Sequence, residues 1–87
     1  MPYIESGQRK WFDDDLQRLG AKLARVATAG DLNYILTKII LAYLGNEPHY
    51  LEFNAAVGIL ECVKQELYRR RVAPYEDEKI KENGDAY

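Results

Sequence analysis

One cysteine and one histidine in 87 residues leave no material for a disulfide framework or a Cys/His zinc site. Long apolar runs are missing too. The longest, Ile39 to Leu44, falls far short of the roughly 20 residues that a membrane span needs. The start of the chain has no charged-then-apolar pattern ending in small residues, so a secretory leader is not expected. Positive charge is in slight deficit, with a net charge of −2, which argues against DNA binding driven by bulk charge. Internal repeats and low-complexity linkers are absent, and neither Gly30-Asp31 nor Asn83-Gly84-Asp85 belongs to a phosphate-loop pattern. These absences point to a cytoplasmic protein, of a cell or of a virus acting inside one.

What is present is apolar and charged in helical rhythm. At 87 residues the chain reads as a single helical domain spanning 1–87. A domain of this size buries only about 60–65% of its unfolded surface, so its own core is thin. Without disulfides or metals, oligomerisation is the remaining means of adding buried area.

The spacing predicts an all-α fold with three main helices and a short C-terminal one, assembled as an oligomeric helical bundle. Residues 1–12 form a lead-in, with Ser6 as an N-cap for a turn carrying Trp11 and Phe12. A first helix is expected over Asp13–Val26, its opening aspartates Asp13, Asp14 and Asp15 favoured by the positive end of the helix dipole. Leu16, Leu19, Leu23 and Val26 recur at core spacing. Gly20 weakens the middle of this helix.

A second helix is expected from about Ala29 to Leu44. Thr28 and Asp31 form a capping pair, with aspartate in place of the longer glutamate or glutamine. Leu32, Ile35, Leu36, Ile39, Ile40, Tyr43 and Leu44 make a wide apolar stripe. Gly45-Asn46 ends it as a left-handed cap does, and Glu47-Pro48-His49 is the loop.

A third helix is expected from Tyr50 to about Ala73, roughly 36 Å long against roughly 24 Å for the second. It therefore overhangs its partner. Phe53, Val57, Leu60 and Leu67 share one face, while Leu51, Ala55, Gly58 and Cys62 cluster on the opposite one. A helix apolar on two sides is buried on two sides. Either a second copy covers the extra face, or the first helix does so within one chain. Pro74 removes a helical donor and disfavours α geometry at Ala73. It either kinks one helix or opens another, and a short helix from Pro74 to about Glu82 is expected.

The candidate binding residues are Lys64, Tyr68, Arg69, Arg70, Arg71 and Tyr75. Arginine's planar fork holds phosphate bidentately, and flanking tyrosines offer stacking faces. On one helix the three arginines fan apart, so a second copy is needed to gather them. The plainer reading leaves them as dipole-compensating cations paired with Glu66 or with the acidic turn after Pro74. Lys64 either snorkels along its apolar neighbours or pairs with Glu61. Cys62, among small residues, reads as an inert buried thiol. Neither Asp13–Asp15 nor Glu76–Glu78 makes a metal site, because consecutive helical side chains point apart.

Gly30-Asp31-Leu32-Asn33-Tyr34, Leu60-Glu61-Cys62-Val63-Lys64 with Glu66-Leu67-Tyr68-Arg69-Arg70, and the block from Ala73 to Tyr87 resemble a family of small uncharacterised proteins of bacteria and their phages. The resemblance covers nearly the whole chain, and the opening Met1-Pro2-Tyr3-Ile4 fits it. Ala86 stands where a bulkier aliphatic residue is commoner. The family is a domain of unknown function and implies no activity, cofactor or catalytic residue. What it implies is a bacterial or phage origin, and host cytoplasm if the chain is phage-encoded.

The sequence thus points to a small non-enzymatic oligomeric binding protein needing no cofactor. Its expected ligand is an anionic, nucleotide-type small molecule held at a subunit interface. The alternative is an interaction module that docks on a host or viral protein through an apolar helix surface. No catalytic constellation is visible.

Overall fold

Local capping explains the clearest element. The Thr28 hydroxyl accepts from the Asp31 amide at 3.1 Å, and the Asp31 carboxylate accepts from the Thr28 amide at 2.9 Å. This reciprocal pair satisfies two orphan donors and starts helix α2, Ala29–Leu44. The computed structural model describes residues 1–87, except for the side chain of Val26. The expected core position of Val26 lies outside the described residues.

Helix α1 spans Ser6–Val26. It begins seven residues before the expected Asp13, and the aspartates lie in mid-helix rather than in its first turn. Between Ser6 and Phe12 there is no proline, and the one weak helix former, Gly7, sits in the first turn. The amides of Gln8 and Arg9 both reach the Glu5 carbonyl, and the Arg9 side chain ties back to the Ile4 carbonyl at 2.7 Å. Glu5, not Ser6, occupies the cap position, without a side-chain bond. Asp15 instead pairs with Arg18 one turn on.

Helix α2 stops at Gly45, whose φ of 73° is positive as expected. Its ψ of −162°, however, puts it in the extended region reserved for glycine rather than in the left-handed helical one. Helix α3, Tyr50–Leu67, follows the short loop, and the His49 amide donates to the Glu52 carboxylate at 3.0 Å.

Pro74 does not end the helix. Tyr68–Val72 form a π turn, and helix α4, Ala73–Asn83, continues directly from it. The expected α-helical run to Ala73 is therefore corrected: its last turn is wider than α. A proline ring clashes with the carbonyl four residues back and offers no N–H. Widening the turn before Pro74 relieves that clash, and the Ala73 amide donates to Tyr68, five residues back. The short C-terminal helix is present and ends at Gly84, which also has positive φ.

The chain divides into two compact units, Pro2–Ala56 and Val57–Tyr87 with Met1. In the first, Leu19, Leu23, Ile35, Ile40, Leu44 and Ala55 are half-buried. Leu16, Leu32, Leu36, Ile39 and Tyr43, expected in the core, are exposed. Ala56 is the one buried residue among the described residues. In the second unit, Glu66, Val72, Ala73 and Lys79 are half-buried.

Apolar patterning is thus present without apolar burial. Among the described residues the structure is helical without strands, and no helix is long and apolar enough to cross a membrane.

Candidate functional site

All six predicted binding residues fall within the unit Val57–Tyr87, at the junction of α3, the π turn and α4. Lys64 lies in the last turn of α3. Tyr68, Arg69, Arg70 and Arg71 are four of the five π-turn residues, and Tyr75 lies in the first turn of α4. A π turn takes one residue more than an α turn. The steady advance of roughly 100° per residue therefore fails across it, and Arg71 no longer shares its angle with Phe53.

Two of the four cations are engaged locally. Lys64 Nζ is 3.2 Å from the Glu61 carboxylate one turn back. Arg69 pairs with Glu66 at 2.6 Å, and its Nε donates to the same oxygen at 2.7 Å. Arg70 and Arg71 are exposed and have no ion pair among the described residues. The electrostatic outcome is a turn with two uncommitted guanidinium groups beside a neutralised third.

Glu61 also accepts from the Gln65 amide at 3.1 Å. That bond first, and the Lys64 ammonium second, hold the Glu61 carboxyl below its usual pKa range. Lys79 Nζ lies 5.5 Å from the centroid of the Tyr75 ring, within cation–π range, so one face of that ring is covered by its own helix. Tyr68 is exposed.

Cys62, expected to be buried, is exposed. Among the described residues no group of three or more His, Cys, Asp or Glu side chains converges as a metal site would require.

A separate cavity of about 290 Å³ opens in the unit Pro2–Ala56, lined by Leu19, Lys22, Leu23, Asp31, Tyr34 and Ile35 among others. Sequence reasoning singled out neither Lys22 nor Tyr34 for this role. The only available signal was their placement on either side of the Ala27-Thr28 break between two apolar stripes. The cavity is mainly apolar, and the Asp31 carboxylate on its wall is already bonded to the Thr28 amide.

The chain belongs to the family DUF6899, a domain of unknown function, which it matches over residues 1–86. No curated protein and no solved structure matches it.

Proposed function

We propose that this DUF6899 protein is a non-enzymatic binding protein that acts as an assembly of identical copies and holds an anionic, nucleotide-type ligand on its arginine turn. The observation that carries the reading is the mismatch between apolar content and apolar burial. Val57, Leu60, Val63 and Leu67 of α3 all face solvent, and Ala56 alone is buried among the described residues. Monomeric proteins rarely leave contiguous apolar patches uncovered on this scale. Covering them with another copy supplies the core that a chain this short lacks.

The ligand class follows from Arg70 and Arg71. Both are exposed and unspent, and guanidinium forks suit phosphate oxygens. Tyr68 and the open face of Tyr75 offer stacking surfaces for a base. A second copy doubles the number of available guanidinium groups, which one helix cannot aim at a single point. The proposed setting is cytoplasmic, in a bacterium or in a phage-infected host.

Calorimetry against a panel of nucleotides tests the ligand. Binding heat is expected in the wild type and lost in Arg71→Ala and in Tyr75→Ala. An absence of heat across the panel contradicts the ligand assignment. A second reading, docking on a host or viral protein, rests on Trp11 and Phe12, which lie exposed next to each other on α1, well outside the arginine segment. Recovery of a defined partner that Trp11→Ala abolishes supports that reading instead.

A further inference from the structure

We propose that the elbow between α1 and α2 binds a small amphiphilic monocarboxylate, whose apolar chain fills the cavity of about 290 Å³ and whose carboxylate meets Lys22. The site lies within the unit Pro2–Ala56 and shares no residue with the arginine turn.

Local rules build this cavity. Ala27 and Thr28 are both extended, with ψ of 130° and 171°, and they separate the end of α1 from the start of α2. The reciprocal Thr28–Asp31 cap fixes where α2 begins. On α1, Leu19, Lys22 and Leu23 are spaced i, i+3, i+4 and share a face. On α2, Asp31, Tyr34 and Ile35 repeat that spacing. Both triplets line the cavity, and so does Ala27 at the elbow, whose single methyl leaves the space open. Leu19, Leu23 and Ile35 are half-buried, whereas Lys22 and Tyr34 are exposed.

The unspent groups on this wall select the ligand. The Lys22 ammonium has no ion pair and no hydrogen bond among the described residues, and the Tyr34 hydroxyl has no hydrogen bond among them. Both can donate to a carboxylate, and the leucine and isoleucine side chains take an alkyl chain. Water in the same space would find few partners on so apolar a wall.

Asp31 restricts the head group. One of its oxygens is held by the Thr28 amide, so the carboxylate stays on the wall. Its negative charge opposes a dianion such as a phosphate monoester, while a monocarboxylate is matched by the one ammonium. Size restricts the chain. Ligand pockets run upward from about 300 Å³, so this one suits a short or medium chain.

Titration of octanoate into the full chain, followed by backbone amide shifts in NMR, tests the site. Millimolar octanoate is expected to shift amides from Leu19 to Ile35 saturably and to leave those of α4 in place. Hexanoate, two methylenes shorter, should bind about tenfold more weakly or worse. Lys22→Gln should weaken octanoate about three- to fivefold, the worth of an exposed ion pair, and leave 1-octanol unaffected. Ala27→Phe should abolish binding of both by filling the elbow, with circular dichroism to check that helicity is kept. No saturable shift between Leu19 and Ile35 would overturn the site. Shifts spread equally over α4 would mean adsorption to exposed apolar surface and would overturn it as well. Octanoate binding indifferent to Lys22→Gln would overturn the assignment of the carboxylate.

Discussion

The Ala73 amide donates to the Tyr68 carbonyl, five residues back, and so carries the helix up to Pro74 without a break. An α turn at this point would press the proline ring against the carbonyl of Arg70. The wider turn avoids the clash, and the arginine triplet lies inside it. The backbone irregularity and the uncommitted cations Arg70 and Arg71 therefore lie in the same five residues.

Replacing that proline should remove the irregularity. Pro74→Ala restores an N–H and the room for an α turn, so the Ala73 amide is expected to switch from Tyr68 to Arg69 as acceptor. Through-hydrogen-bond scalar couplings in NMR read this directly. Wild type shows Ala73 to Tyr68, and the variant shows Ala73 to Arg69. An unchanged coupling in the variant would mean that Pro74 is not the cause.

The two ends of α2 differ in how they are held, and substitutions should separate them. Thr28→Ala removes a reciprocal cap and is expected to cost about 1 kcal/mol. Gly45→Ala forces a side chain into a glycine-only conformation and should cost about 1–3 kcal/mol, although the space around it is open. Gly20→Ala, inside α1 with nothing within 4 Å of a new methyl, should instead stabilise by about 0.5–1 kcal/mol. Denaturation at one fixed protein concentration checks all three, because self-association of the proposed kind would make apparent stability concentration-dependent.

How much of this was legible in the sequence follows from the range of each interaction. The Thr28–Asp31 cap is local, and it fixed the start of α2 from three residues of spacing. The start of α1 is not legible from the aspartates, because three of them suit a first turn but are equally at ease on an exposed mid-helix face, where Asp15 meets Arg18. Pro74 signalled a departure from α geometry, but a break, a kink and a widened turn all satisfy a missing N–H. Choosing among them depends on what the neighbouring carbonyls can reach. The wheel shows which flanks of α3 are apolar but not what lies against them, so it does not distinguish the exposed Cys62 from a buried one. The six binding residues could be named by type. Whether they converge is not encoded in one helix's pattern, because on a single helix the three arginines fan apart.

Glu61 offers a pH-dependent check on the local network. Its folded-state pKa is depressed, first by the Gln65 amide and then by Lys64. The stabilisation from this carboxylate is therefore fully present above the ordinary glutamate value and is lost as the pH falls through the depressed one. Carboxyl-detected NMR titration should place Glu61 below the usual range and show it rising toward normal in Gln65→Ala. The surface is solvated, so the effect on global stability is small.

The mass of the protein in solution tests the central claim most directly. Sedimentation equilibrium at micromolar concentration is expected to give a particle of at least twice 10.1 kDa. A single species at 10.1 kDa, with Leu60, Val63 and Leu67 still open to solvent, would contradict it.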